Sequence, residues 1–173
     1  NVAELFDNIE LIGKATGNTS GAAKLREELG KRVEAITSRL KGLKEDQKPR
    51  VFYEVWPEPL MTAGPDSFIH DLIRLAGGRN VAADAKGAYP QFSLEVLVAR
   101  DPDVIVYSYH GDAEKQAFEK RAGWESISAV KRGRIYKIPD EDWVSRAGTR
   151  FVNGLEFMAK VFHPEIFGDT GGK

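Results

Sequence analysis

Apolar residues recur at three- and four-residue spacing from Thr19 to Gln47, a pattern that predicts one long amphipathic helix. Thr19 or Ser20 can cap its start, and Pro49 prevents the helix from continuing much further. At about 1.5 Å per residue, such a helix is roughly 40 Å long, longer than the body of a small domain. Geometry alone leaves two interpretations open. The helix lies along the surface of its own domain, or it spans between two bodies.

A shorter helix is predicted before the long one. Residues 2–16 place Leu5, Ile9 and Ile12 on one helical face, and Gly17 is a natural stop. The helical pattern starts directly at the beginning of the chain, without a cap or a lead-in. We therefore expect the chain to enter in the middle of a fold, with further sequence upstream.

After Pro49 the pattern changes to alternating strands and helices. Aromatic and β-branched runs predict strands over 50–56, 103–109 and 134–138. Helical spacing predicts helices over 66–76, 93–99, 112–122 and 149–162. The connecting segments are predicted as loops and turns over 56–65, 79–92, 124–133 and 139–148. This alternation is typical of an α/β layered lobe with a small, mostly parallel sheet.

The overall composition narrows the possible classes of protein. With 173 residues and 42% hydrophobic content, the chain is able to bury a real core. Its 25 basic and 26 acidic residues give a net charge of −1, so we expect no nucleic-acid partner. No apolar run approaches the ~20 residues of a membrane-spanning helix, and the first residues lack the pattern of a signal peptide. The absence of cysteine excludes thiol catalysis, disulfides and cysteine metal sites.

The sequence contains no motif that assembles an active site. Its histidines, His70, His110 and His163, lie far apart, and no pair has the spacing of metal ligands. No nucleophile elbow, phosphate-binding loop or dinucleotide fingerprint is present. The carboxylates of 140–142 are consecutive, which favours a solvated surface over a convergent site. We expect no catalytic residue and no intrinsic metal, and we keep an α/β enzyme as an alternative class.

The segments that follow the predicted strands collect large apolar side chains. In an open α/β sheet, the loops after the carboxyl ends of the strands share one edge, where ligands bind. Large flat groups beside a fixed cation suit a bulky ligand with a planar face and a polar rim. Each aromatic residue alone is also consistent with core packing, so the group as a whole carries the prediction. The residues concerned are Trp56, Met61, Tyr89, Tyr109, Trp143 and Arg146.

Three motifs occur in order along the second part of the chain. They are AGG after the helix over 66–76, then SLE-x-L-x-A-x-DPDVIV, and finally W-x-x-I-x-A-V-K-x-G-R-I-Y followed by HPE. With these motifs, nearly the whole chain resembles the second lobe of the substrate-binding proteins of ABC importers for cobalamin, iron–siderophores and haem. The resemblance implies two α/β lobes joined by one rigid long helix, with the ligand held between the lobes.

The resemblance also implies a division of the chain into three parts. Residues 1–18 correspond to the last helix of the first lobe, 19–48 to the long connecting helix, and 49–173 to the C-terminal ligand-binding lobe. Most of the first lobe, with its export signal, is then expected to lie outside this sequence.

Within the family, the segments WPEPLMTAG and AYPQFSLE look most like the cobalamin-binding branch. The resemblance implies that Tyr89 packs on the corrin ring, where a better-known member has a tryptophan, and that Met61 replaces a phenylalanine. It implies that Asp142 and Arg146 contact the polar edge of the ring. Glu95 matches the carboxylate that docks on the membrane permease, although a glutamate in the first turn of a helix is equally consistent with a role at the helix dipole.

The function implied by the resemblance is ligand delivery without catalysis. The expected ligand is a cobalamin-like corrinoid, or alternatively a ferric siderophore or haem, and the expected partner is the permease of an ABC importer. The protein would be periplasmic or otherwise extracytoplasmic, and a lipid anchor in the full-length protein is compatible with this. No intrinsic cofactor is expected. As an alternative class to binding, a dimerising interaction domain would bury the apolar stripe that the first helices expose without their lobe.

Overall fold

The computed structural model describes residues 1–109, 118 and 120–168. The described helices are α1 (Val2–Ala15), α2 (Thr19–Leu40), α3 (Phe68–Leu75), α4 (Leu94–Arg100), α5 (Ser128–Lys131), α6 (Phe151–Phe162) and α7 (Pro164–Phe167). The strands are β1 (Arg50–Pro57), β2 (Leu60–Thr62), β3 (Arg79–Asn80), β4 (Val104–Tyr107) and β5 (Ile135–Lys137). Short 3₁₀ turns span Glu45–Gln47, Trp124–Ser126 and Glu141–Trp143.

Helix α1 begins with a cap that the sequence analysis did not predict. The Asn1 side chain accepts a hydrogen bond from the Glu4 backbone N–H at 2.9 Å, and the Glu4 carboxylate bonds back to the Asn1 amine. The buried face of the helix includes Leu5 and Ile9, as predicted, but Ile12 is 61% exposed. Leu11 is also exposed, so α1 presents two large apolar side chains to solvent. The homodimer that would bury them stays a prediction.

Helix α2 is shorter than predicted, because it ends at Leu40 and not near Gln47. Its cap is Asn18, whose side chain accepts from the Gly21 N–H at 3.1 Å, in place of the predicted Thr19 or Ser20. The helix ends where Lys41 takes an extended backbone and Gly42 takes φ = 100°, a conformation that glycine adopts at little cost. Its 22 residues give a length of about 33 Å.

Helix α2 lies against the lobe that follows it. Arg32 donates two hydrogen bonds of 2.8 Å to the Glu156 carboxylate on α6 and a third to the Asn153 side chain. Arg39, in the last turn of α2, donates to the Ile166 carbonyl oxygen. These bonds fix α2 along the lobe, as in the first of the two geometric interpretations. Its role as a connection to a second lobe stays a prediction.

The sheet is mostly parallel, as the sequence predicts. Its strand order is β2-β1-β4-β5, and β3 also pairs with β1. Strands β1, β4 and β5 form the parallel centre, where Val51 lies opposite Val104 and Ile105 opposite Ile135. Only β2 is antiparallel among the described strands, and it lies in the segment predicted as a loop over 56–65. A proline-rich sequence hid this hairpin, because proline is uncommon in strands away from their edges.

Both faces of the sheet are covered by helices, which makes the lobe a three-layer α/β unit. Val51, Tyr53 and Val104 face the layer of α1, α2, α3 and α6. Phe52 and Ile105 face the layer that contains α4, α5 and the turn at Trp124–Ser126. Ser67 and Ser93 cap α3 and α4 through their side chains.

The remaining differences from the predicted elements are local. The predicted helix over 112–122 falls mostly outside the described residues. The segment predicted as a turn over 124–133 contains a 3₁₀ turn and the short α5, and the segment from Pro164 onward starts α7. Among the residues that the structure describes, none of the helices combines the length and apolarity needed to cross a bilayer.

Candidate functional site

An antiparallel hairpin at the edge of the sheet holds two of the predicted ligand-binding residues side by side. Trp56 on β1 lies directly opposite Met61 on β2, and paired residues of an antiparallel ladder project from the same face. Trp56 is 49% exposed, and Met61 is half-buried. Gln91, which the sequence analysis did not select, pairs with Met61 on its other side and is exposed.

Tyr89 is held beside this hairpin by main-chain hydrogen bonds. The Thr62 N–H donates to the Pro90 carbonyl oxygen at 3.1 Å, and the Gly64 N–H donates to the Ala88 carbonyl oxygen at 2.8 Å. The two segments approach so closely that a Cβ on Gly64 would lie 2.1 Å from the Gly87 carbonyl oxygen. Tyr89 is 47% exposed, so it presents a second large aromatic surface next to Met61.

Tyr109 packs behind Trp56 at the carboxyl end of β4. The two ring centroids are 5.9 Å apart, and the Tyr109 ring also lies 5.3 Å from the Tyr107 ring. Tyr109 is only 7% exposed. The structure therefore brings Trp56 together with Met61 and with Tyr109 at the carboxyl edge of the sheet, where the sequence analysis expects the ligand-binding residues, and Tyr109 is the buried member.

A buried carboxylate that the sequence analysis missed lies beneath these rings. Glu54 is fully buried, and its two oxygens accept hydrogen bonds from the Tyr109 hydroxyl at 2.5 Å and from Arg121 Nη1 at 2.6 Å. Burial, and then the Glu54 carboxylate, raise the pKa of the Tyr109 hydroxyl, so the hydroxyl remains a donor. Burial lowers the pKa of Arg121, but Glu54 outweighs this and the net shift is upward. The signal in the sequence was one charged residue inside an apolar strand.

The loop after β5 carries the predicted polar residues of the site. Asp142 accepts a hydrogen bond of 2.6 Å from Arg150 Nη2, whereas Arg146 Nε lies 3.6 Å from the other Asp142 oxygen. The second distance is that of an ion pair and is too long for a hydrogen bond. Arg150, which the sequence analysis missed, also pairs with Asp140. Arg146 keeps its side chain 80% exposed, so its guanidinium faces solvent.

Tyr53 on β1 has a buried hydroxyl whose partner, Ser108, directly follows β4. Tyr53 donates from its hydroxyl to Ser108 Oγ at 2.7 Å. Burial raises the pKa of Tyr53, and the nearby Glu141 and Tyr89 raise it further.

Trp143 lines a different groove from the other predicted aromatic residues. It is half-buried and packs against the aliphatic cluster of α6, where its backbone and Cβ lie within 3.4 Å of the position of a Cβ on Gly154. The groove has a volume of about 540 Å³, and Phe157 and Phe167 also line it.

Glu95, the predicted docking residue, lies in the first turn of α4 and is exposed. Its own backbone N–H and then the Ser93 side chain hydrogen-bond to the carboxylate and lower its pKa. Glu95 is therefore a charged surface group at the start of a helix. This is the geometry that both of its predicted roles require.

Two of the three histidines are part of the described structure, and both have local partners. His70 Nδ1 lies 3.1 Å from the Asn80 side-chain nitrogen, and the buried His163 lies between the Gly77 carbonyl oxygen and Glu165. His110 lies outside the described residues. Within the described ranges, His, Asp and Glu side chains form no group of three that is able to hold a metal ion.

Comparison of the sequence with known proteins shows the family of this chain. The sequence model of the periplasmic binding protein family matches residues 1–141. The ABC transporter substrate-binding lipoprotein YvrC of Bacillus subtilis is 34% identical over 95% of this chain and 52% of its own length. The cobalamin-binding protein of Halobacterium salinarum is 33% identical over 88% of this chain and 42% of its own length. The chain spans about half the length of these curated relatives.

A solved structure shows the same architecture. It is described as a possible iron-binding (periplasmic solute-binding) protein from Staphylococcus epidermidis. It superposes with a TM-score of 0.82 and is 29% identical, covering 93% of this chain and 62% of that chain. The three-layer lobe with its preceding helices is therefore a known arrangement.

Proposed function

Since the chain belongs to the periplasmic binding protein family, we propose that it is part of an extracytoplasmic protein that captures a cobalamin-like corrinoid and delivers it to an ABC importer. In this proposal residues 1–18 end the first lobe, 19–48 connect the lobes, and 49–173 form the C-terminal ligand-binding lobe. In this proposal the role is binding and not catalysis. A lipid anchor on the full-length protein is part of the proposal, supported by the lipoprotein relative.

The observation that carries the proposal is the strip of exposed apolar side chains on the hairpin. Trp56 and Tyr89 are each about half exposed and lie on either side of Met61. Large aromatic side chains left open at the ligand edge of an α/β sheet are typical of a site whose ligand covers them. A broad planar ring is the ligand shape that fits such a strip.

The polar residues of the loop after β5 fit a rim that both donates and accepts hydrogen bonds. Asp142 is an acceptor fixed by Arg150, and Arg146 is an exposed donor. The amide groups at the rim of a corrin are able to use both. Haem or a ferric siderophore is the second candidate, supported by the relative described as possibly iron-binding.

We further propose that Glu95 docks on the permease of the importer. Its carboxylate is exposed and charged, and α4 begins directly after the segment that carries Tyr89 and Gln91. A docking residue so close to the ligand strip lets the permease contact the lobe beside the bound ligand.

The proposal is tested by titration with cobalamin, haem and a ferric siderophore, followed by tryptophan fluorescence. Cobalamin is expected to give saturable quenching. The affinity derived from it is expected to be lower in Trp56→Ala and in Arg146→Ala. Absence of saturable quenching by cobalamin, in this chain and in the full-length protein, would contradict the corrinoid assignment, and binding of haem or the siderophore instead would establish the second candidate. Trp143→Phe is the matched control, since Trp143 lines a different groove, and a loss of affinity there would return Trp143 to the site.

A further inference from the structure

The side chain of Glu54 is a charged group with no contact with solvent. It lies near the end of β1, two residues before Trp56, and its partners are the Tyr109 hydroxyl and Arg121. Replacing a buried ion pair by apolar side chains of similar volume is often neutral or stabilising, so stability alone gives no reason for this pair. The pair is instead suited to fixing the orientation of the groups that it binds.

Arg121 is held in one orientation by contacts with two aromatic rings and two polar groups. Its guanidinium lies 4.3 Å from the centre of the Phe118 ring and 4.7 Å from that of Trp124. Its Nη1 donates to Glu54, and its Nη2 lies 3.3 Å from the Tyr109 hydroxyl. A planar guanidinium that contacts two rings and forms two directed hydrogen bonds has little freedom to rotate.

Tyr109 connects this network to the ligand strip. Its hydroxyl is bound by Glu54 and Arg121, and its ring contacts the rings of Tyr107 and Trp56. A tyrosine fixed at its hydroxyl and along its ring has no alternative rotamer without breaking these contacts. It therefore gives the exposed Trp56 side chain a rigid surface to pack against.

We infer that Glu54 and Arg121 are positioning residues, which hold Tyr109 and through it set the orientation of Trp56 for ligand binding. An aromatic surface that is already ordered loses less conformational entropy when the ligand binds. The inference rests on the proposed function for its consequence in binding, whereas the effect on Trp56 is a property of the protein without ligand.

The decisive variant is the double substitution Glu54→Leu with Arg121→Met. It removes both charges and keeps similar volumes, so no charge is left unpaired, and the urea midpoint is expected to fall less than in Arg121→Met alone, by the cost of leaving the Tyr109 hydroxyl without a partner. Tyr109 loses both of its hydrogen-bond partners in this variant. Tyr109→Phe is the complementary variant, because it keeps the ring and the ion pair and removes only the hydroxyl. It also serves if the double variant does not fold.

The first readout needs no ligand. The chain has three tryptophans, so labelling with 5-fluorotryptophan gives three ¹⁹F signals, and Trp56→Phe assigns the signal of interest. The Trp56 signal is expected to shift and broaden in both test variants, while the signal of Trp143, which lines a separate groove, stays in place. An unchanged Trp56 signal in both variants would overturn the inference, whatever the protein binds.

The second readout is cobalamin affinity. The dissociation constant is expected to rise by about three- to tenfold in both variants, which is the effect of ordering one large side chain on binding. A moved Trp56 signal with unchanged cobalamin affinity would refute the link between orientation and binding. If the parent protein binds neither cobalamin, haem nor a siderophore while the Trp56 signal moves, the proposed function fails and the positioning of Trp56 stands.

Discussion

The two faces of the sheet are built from different kinds of side chain. The face toward α1, α2, α3 and α6 is closed mainly by aliphatic residues, with Phe151 and Met158 fully buried among them. The opposite face is rich in rings and also adjoins the buried Glu54 and its partner Arg121. Ring contacts such as those of Trp124 with Phe52 and Phe118 recur across it.

The first face mainly attaches helices to the sheet, whereas the second face mainly orients particular side chains. Aliphatic contacts have no preferred direction, so the first face holds the helices to the sheet mainly through buried area. Rings, hydrogen bonds and ion pairs have preferred geometries, so the second face fixes the angles of particular side chains. The exposed Trp56 lies at the edge of this face, where its ring contacts that of Tyr109. Changes on the two faces are therefore expected to have different consequences for stability and for binding.

The largest loss of stability is expected for Phe151→Ala on the aliphatic face. Phe151 is fully buried, and the Phe6 and Phe68 rings meet it edge-on at centroid distances of 6.2 and 6.0 Å. Removing it should lower the free energy of unfolding by about 3–5 kcal/mol, as measured by urea denaturation. Leu11→Ala, on the exposed side of α1, is the control and should change it by less than about 0.5 kcal/mol. A cost below about 1 kcal/mol for Phe151→Ala would contradict the assignment of this face as the main attachment.

The second-largest loss of stability is expected for Arg121→Met alone. It leaves the Glu54 carboxylate buried without a cation, and breaking such a pair typically costs about 3–5 kcal/mol. We expect the lower end of that range, because the Arg121 side chain is partly exposed. Urea denaturation of this variant beside the apolar double variant measures the difference. Equal stability of the two would show that Glu54 tolerates burial without its partner.

Gly64→Ala should have a smaller cost in stability and a larger relative effect on the site. The new Cβ would meet the Gly87 carbonyl oxygen at 2.1 Å, so the segment that carries Tyr89 must move away from β2. Overpacking of this kind costs about 1–3 kcal/mol. Gly30→Ala in α2, where a Cβ meets nothing within 4 Å, is the matched control and should be neutral or stabilising. Unchanged ligand affinity in Gly64→Ala would exclude Tyr89 from the site.

The smallest loss of stability is expected when the pH is lowered and Asp103, at the amino edge of the sheet, is protonated. Burial would raise the pKa of Asp103, but hydrogen bonds from the Arg50 backbone and side chain outweigh it and lower the pKa. A carboxyl whose pKa is lower in the folded state stabilises the protein above its unfolded value of about 4, and this contribution is lost as the pH falls further. Urea midpoints at pH 7 and 3.5 should therefore differ less in Asp103→Asn than in the parent. Parallel pH profiles would show that Asp103 does not contribute.

The elements with strong periodicity were predictable from the sequence. The central strands were found because buried parallel strands consist of continuous apolar residues, as in the run 103–109. The end of α2 was not, because Leu43 continues the helical spacing past the real end at Leu40. A hydrophobic pattern reports which face is buried, and it does not report the backbone angles of Lys41 and Gly42.

Site residues were predictable where their position in the fold determines their role. They were not predictable where their role depends on a partner that is distant in sequence. Trp56 and Met61 follow from their place at, and just after, the carboxyl end of the predicted strand 50–56. Glu54 was missed because its cation, Arg121, lies 67 residues further along the chain. Arg150 was missed for a related reason, since only the folded loop shows that it, and not Arg146, hydrogen-bonds to Asp142.

The main-chain bonding of the hairpin has a consequence for how such proteins diverge. The Thr62 and Gly64 N–H groups bond to the carbonyl oxygens of Pro90 and Ala88, and the Phe92 N–H bonds to that of Leu60. These bonds hold the ligand strip in place whatever the side chains at its exposed positions are. Under the proposed function, substitutions at those positions would alter the ligand that fits while the backbone stays in place.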